Sequence, residues 1–239
     1  MFKPPRSESR RVSATLPDGV WQIDCRTRDR PNVYVVQDDT GDTTLVDAGW
    51  PGDAATVRNG LAAVGVELED VDRVLLTHYD ADHVGSLARL TPDLDAPVYI
   101  HEREAPYVAG DRLPPWTARH GIEAFHRLYY RGLALPDLPV RSVTDGETVA
   151  GFQVYHTPGH TPGHAVYVHE ASNVVFLGDL AYGLDDGLRA SGWLTSYDAA
   201  RVTESIRSLS HRAPPFEYAC PGHGPVLDDG RARLAELLG

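Results

Sequence analysis

Four side chains able to hold a metal ion fall within six residues: His78, Asp80, Asp82 and His83, in the run Thr77-His78-Tyr79-Asp80-Ala81-Asp82-His83-Val84-Gly85. The run follows an apolar stretch at 71–77 that reads as a β-strand. At a strand end the chain turns sharply, so neighbouring side chains can converge on one point. Imidazole nitrogens mixed with carboxylate oxygens suit zinc, iron, manganese or nickel better than calcium or magnesium. Taken alone, the same run also reads as a polar loop in which Asp82 caps a helix starting at His83.

Other strand ends carry the same residue types. His156, His160 and His164 sit around two Pro-Gly turns in the run 156–164, and such turns fix the backbone so that a side chain can point away from a sheet edge. Val175-Phe176-Leu177-Gly178-Asp179 ends an apolar stretch in a Gly-Asp pair, and Pro221-Gly222-His223-Gly224-Pro225 holds a histidine between glycines and prolines. Several strands thus finish in potential ligands, as expected if their ends line one edge of the sheets.

The elements that would position these residues come in two batches. Alternating or apolar runs predict strands at 21–25, 32–37, 43–47, 71–77 and 97–100, and again at 152–156, 165–169, 174–177 and 216–220. Helical spacing predicts helices at 53–64, from Glu102, at 196–209 and at the C-terminus. Strands followed by helices, twice over, imply two sheets packed together with helices outside. Residues 1–17 are polar and read as a loose arm, leaving 18–239 as one domain. The pattern breaks between 105 and 141, where Pro106, Pro114, Pro115, Pro136 and Pro139 flank the aromatic stretch 125–130. This segment reads as an insertion, either a lid over the metal edge or a helical elaboration packing into its own core or a dimer partner. Trp116, Tyr129 and Tyr130 are its candidate substrate-facing residues. Trp193 and Tyr197 are further candidates, although a helix cap at Ser196 explains that stretch equally well.

Composition narrows the function classes. The chain has 239 residues, 42% of them apolar, which excludes wholesale disorder. A net charge of −12 argues against nucleic acid or an anionic membrane as partner and leaves a small-molecule substrate. Lys3 is the lone lysine, a bias that a salt-loving source or a GC-rich genome would both produce. No stretch reaches the ~18 apolar residues of a membrane span, and the N-terminus shows no signal peptide. Cys25 and Cys220 are accordingly expected to be reduced and the protein cytoplasmic, with Cys220 a small buried residue at a strand end rather than a ligand. There is neither a G-x-S-x-G elbow nor an H-E-x-x-H helix.

With these residues in view, the sequence resembles the metallo-β-lactamase fold superfamily, in its glyoxalase II-like and lactonase-like hydrolase branch. The resemblance runs from about residue 20 to the C-terminus. It rests on Leu45-Val46-Asp47-Ala48-Gly49, the T-H-x-D-x-D-H-x-G run at 77–85, T-P-G-H-T-P-G-H at 157–164, Gly178-Asp179 and Pro221-Gly222-His223-Gly224. It implies a four-layer αββα sandwich with two divalent metal ions at the shared edge of its sheets, zinc first, with iron or manganese as alternatives. By position, His78, Asp80 and His160 would hold one metal, Asp82, His83 and His223 the other, and Asp179 would bridge them. Asp47 would support the ligands from behind, and His164 would sit beside them as a supporting or substrate-facing residue. His101, His156 and His169 match no ligand position. The superfamily usually reads H-x-H-x-D-H, whereas here Asp80 stands where the second histidine belongs. An aspartate brings negative charge and a harder oxygen, which favours iron or manganese or weakens that site.

The resemblance implies a hydrolase in which a metal-bound hydroxide attacks a small ester, thioester or lactone, with Asp82 orienting the nucleophile and moving its proton. Three alternatives share the fold: a mononuclear-iron, persulfide dioxygenase-like oxidoreductase using His78, His160 and Asp179, a phosphodiesterase or nuclease, and a metal-binding protein without turnover. A homodimer is compatible with every one of them.

Overall fold

The computed structural model describes residues 16–25, 30–115 and 122–239. Its first sheet orders six strands as β1 (Val20–Asp24), β2 (Asn32–Gln37), β3 (Thr43–Val46), β4 (Val71–Leu75), β5 (Val98–His101) and β6 (Val140–Val143). Pairing is antiparallel as far as β3 and parallel beyond it. The second sheet runs β13 (Tyr218–Pro221), β10 (Val174–Gly178), β9 (Ala165–His169), β8 (Phe152–His156) and β7 (Thr148–Val149), with only the β13–β10 pair parallel. A separate hairpin pairs β11 (Ala181–Leu184) with β12 (Gly187–Ala190).

The period-2 alternation of side chains splits these strands between two cores. On β2, Val33 and Val35 face outward from the sandwich, while Tyr34 and Val36 face the other sheet. On β10, Val174 and Phe176 face inward to meet them, and Val175 and Leu177 face out. Tyr34 and Phe176 touch edge to face across this middle layer at 5.3 Å. The outer face of the first sheet is covered by α1 (Ala54–Ala63), the single turns α2 (Ala81–Val84), α3 (Leu87–Leu90) and α4 (Ala105–Val108), and α5 (Ile122–Tyr130). The outer face of the second sheet is covered by α6 (Ala199–Arg212) and α7 (Gly230–Glu236), through Val202, Ile206, Leu209 and Leu234. Three cores between four layers are the αββα sandwich.

Several local expectations shift. The helix expected at 196–209 is α6, and its cap is Asp198, whose carboxylate accepts the Arg201 N–H at 3.0 Å. Ser196 is instead buried and bonded to Ser191 at 2.9 Å. Asp82 does not cap a helix at His83. Instead α2 starts at Ala81 after an extended Asp80. Within 105–141, α4, α5 and Tyr130 join the core over the first sheet, and Val140 and Arg141 already belong to β6. Most of the N-terminal arm, and Trp116, lie outside the described residues. Both cysteines are buried and free, Cys220 within β13. Among the described residues no helix is long and apolar enough to cross a membrane.

Candidate metal centre

Strands β4, β10 and β13, together with the turn after β8, deliver their side chains to one edge of the sandwich. His78, His160 and Asp179 bring donor atoms within 4.8 Å of one another, and so do Asp82, His83 and His223. Asp80 joins the first set, its Oδ2 lying 3.5 Å from His78 Nε2 and 3.3 Å from His160 Nε2. Asp179 faces both sets. Its Oδ2 is 3.5 Å from His160 Nε2, and its Oδ1 is 3.4 Å from both His83 Nε2 and His223 Nε2. Asp82 Oδ2 completes the second set at 3.3 Å from His223 Nε2 and 3.6 Å from His83 Nε2. Two donors held about 2.0–2.1 Å from one cation at a tetrahedral angle stand about 3.4 Å apart, so these spacings fit ligation. A second sign agrees. His78 Nε2, His83 Nε2 and Asp179 Oδ1 are buried without a hydrogen bond, a costly state for polar atoms unless a cation satisfies them.

Behind the donors, hydrogen bonds fix which ring nitrogen faces inward. The Thr77 hydroxyl donates to Asp47 Oδ2 at 2.8 Å, so at 3.0 Å from His78 Nδ1 it accepts, leaving Nε2 of His78 as the inward lone pair. Asp47 also accepts the Thr77 N–H at 2.8 Å and lies 2.8 Å from His83 Nδ1. It does so from a left-handed backbone, φ 59°. His160 Nδ1 meets Ser191 Oγ at 3.0 Å. His164 points its nitrogens away from a ligand role, since Nε2 accepts the Asp179 N–H at 3.1 Å and Nδ1 meets Thr157 Oγ1 at 2.8 Å.

Two glycines make room. Gly178 has φ 49° and would drive a Cβ to 2.7 Å from Thr77 and 2.8 Å from His164. At Gly222 a Cβ would come 2.3 Å from Asp179 Oδ1, in the space where the carboxylate sits.

Charge follows from this crowding. Burial disfavours ionising Asp179, yet His223, His83 and His160 outweigh it and hold the carboxyl well below its usual range. Burial likewise opposes a charged His83, but Asp47, Asp82 and Asp179 push it well above the ordinary imidazole value. His223 rises to about 11, burial opposing and Asp179 leading the increase. His164 is driven well down by burial, with the neighbouring His78 and His160 adding to it.

Of the candidate substrate residues, Trp193 and Tyr129 are exposed at 62% and 44%, and Trp50 packs edge to face on Tyr129. Tyr130 is buried and donates its hydroxyl to the Tyr79 carbonyl. The Tyr197 and Tyr79 hydroxyls are hydrogen-bonded to each other. His101 stacks on His156 at 4.0 Å and His169 on Phe152 at 4.5 Å, away from the donors.

Several supporting residues carried no signal as motifs. Asn32 Nδ2 donates to the carbonyls of Pro221 and Gly224, and the Tyr34 hydroxyl donates to the Pro221 carbonyl, so β2 holds the turn bearing His223. Ser191 belongs to the chain leaving β12, in a hairpin whose two-residue loop is Asp185-Asp186, with Gly187 already paired to Leu184. Glu104 is wholly buried, and burial pushes its carboxyl up to about 7.

Residues 26–223 match the family described as the metallo-beta-lactamase superfamily. The probable metallo-hydrolase YflN of Bacillus subtilis (strain 168) is 31% identical to this chain over 238 residues, covering 86% of each. The atrochrysone carboxyl ACP thioesterase of Aspergillus fumigatus is 27% identical over 85% of this chain and 39% of its own length. Among solved structures, TTHA1623 in a di-iron-bound form is 32% identical, covers 88% of this chain and 96% of its own, and superposes with a TM-score of 0.62.

Proposed function

Because this chain belongs to the metallo-β-lactamase superfamily, we propose that it is a binuclear metal-dependent hydrolase acting on a small ester, thioester or lactone. One observation carries this reading: Asp179 turns its two oxygens toward two different sets of donors. His78, Asp80 and His160 would hold one divalent ion, and Asp82, His83 and His223 the other. Zinc, iron and manganese all suit such mixed nitrogen and oxygen donors, and the di-iron form of TTHA1623 favours weighing iron. Bound divalent ions supply Lewis acidity toward a carbonyl oxygen and lower the pKa of water toward 7.

The chain's own residues do the rest. Asp179 and His160 present a fixed, largely dry wall, whereas the side chain of Asp82, 14% exposed, reaches the open side of the site. Asp82 is thus placed to take a proton from attacking water and pass it to the leaving group. Tyr129 and Trp193, both exposed, are the aromatic side chains that would receive the acyl or ring part of a small substrate under this reading. The thioesterase relative supports including thioesters.

The test is metal content by elemental analysis of protein purified without chelator or histidine tag, paired with turnover of an ester, thioester and lactone panel. Two metal ions per chain and hydrolysis of at least one substrate class, lost in Asp82→Ala, are expected. One iron per chain with oxygen-dependent turnover would overturn the proposal.

A further inference from the structure

Tyr79 lies between two of the proposed ligands, and its backbone N–H donates to Glu104 Oε2 at 2.8 Å. The other carboxyl oxygen, Oε1, accepts the Gly163 N–H at 2.7 Å. Tyr79 belongs to the loop carrying His78 and Asp80, and Gly163 to the turn carrying His160. A single carboxyl group therefore spans the two backbones whose side chains Asp80 and His160 must meet, Oδ2 to Nε2, at 3.3 Å. Contact is close on the Gly163 side, where a Cβ would fall 2.7 Å from Glu104 Cγ. Glu104 is 0% exposed, and a buried acid is disfavoured unless its oxygens are paired, so an apolar residue would fill this space at lower cost. It would, however, leave both N–H groups without acceptors. Neither ligand motif calls for an acid at position 104.

We propose that Glu104 is a positioning residue that fixes the spacing of these two loops, and with it the metal affinity of the His78, Asp80 and His160 donor set. This rests on the metal-binding reading above.

Cobalt(II) titration of chelator-treated full-length protein, followed by visible absorption, tests it in wild type, Glu104→Gln and Gly163→Ala. Gln keeps the volume but turns an amide N–H₂ toward one of the backbone donors. Gly163→Ala displaces the carboxyl group while leaving it in place chemically. The site whose signal vanishes in His160→Ala identifies the relevant set. In both variants that site is expected to weaken about 10–100-fold, as for other residues that orient ligands, while the other stays within about threefold. Wild-type affinity at both sites overturns the proposal, and so does an equal loss at both, which marks general loosening. If Glu104→Gln does not fold by circular dichroism, Gly163→Ala decides by the same criterion, and failure of both to fold overturns it in favour of a purely structural role. A wild type that binds no cobalt fails the metal-binding reading itself, a result distinct from equal binding by wild type and variants.

Discussion

Asp47 Oδ2 lies 2.8 Å from His83 Nδ1 and 2.8 Å from the Thr77 hydroxyl that in turn meets His78. One carboxylate thus orients an imidazole in each donor set. Asn tolerates the left-handed backbone that Asp47 adopts, so Asp47→Asn removes the charge without backbone strain. Metal affinity in both sets should fall about 10–100-fold, read by chelator competition, with the fold retained.

Gly222→Ala places a methyl group 2.3 Å from Asp179 Oδ1 and 2.8 Å from His83 Cε1. Metal binding and turnover should be lost, at a stability cost of about 1–3 kcal/mol in thermal or urea unfolding. Gly192→Ala, where a Cβ meets nothing within 4 Å, is the matched control and should behave as wild type.

Metal uptake should release protons. In the metal-free protein His83 and His223 are held above the ordinary imidazole range, His223 at about 11, so both are charged at neutral pH. Ligation needs them neutral, and a cation must displace about two protons from that set. Between about pH 6 and 8 the logarithm of apparent affinity should rise by about two per pH unit, and a pH-stat should record the matching release. A flat profile would show that these imidazoles are already neutral in the metal-free protein.

Asp80→His replaces a hard, charged oxygen with a neutral nitrogen between His78 and His160. Zinc occupancy should rise relative to iron and manganese, as measured by elemental analysis after growth with the three metals at equal concentration. An unchanged ratio would show that Asp80 does not set metal preference.

Much of the fold was legible because its strands obey simple periodicities. The runs at 152–156 and 165–169 match β8 and β9 end to end. What escaped were elements whose reason lies elsewhere in space. β6 and β7 are short and only half apolar, and they exist because a neighbouring strand offers them a hydrogen-bonding edge. Ser196 reads as a cap locally, but Ser191 claims its hydroxyl and the cap falls to Asp198.

The candidate donors divide the same way. His78, Asp80, Asp82 and His83 fall within one six-residue segment, so their chemistry showed in the residue types alone. By itself the sequence determined which groups bind well to a cation, and which strand ends carry them, because residue type and period-2 alternation are local properties. Only the tertiary structure decided that Asn32 and Tyr34 hold the His223 turn, and that Glu104 ties the Tyr79 loop to the Gly163 turn, the latter 59 residues from Glu104 along the chain. Such relationships depend on where distant backbones come within hydrogen-bonding reach, and no spacing along the chain encodes that.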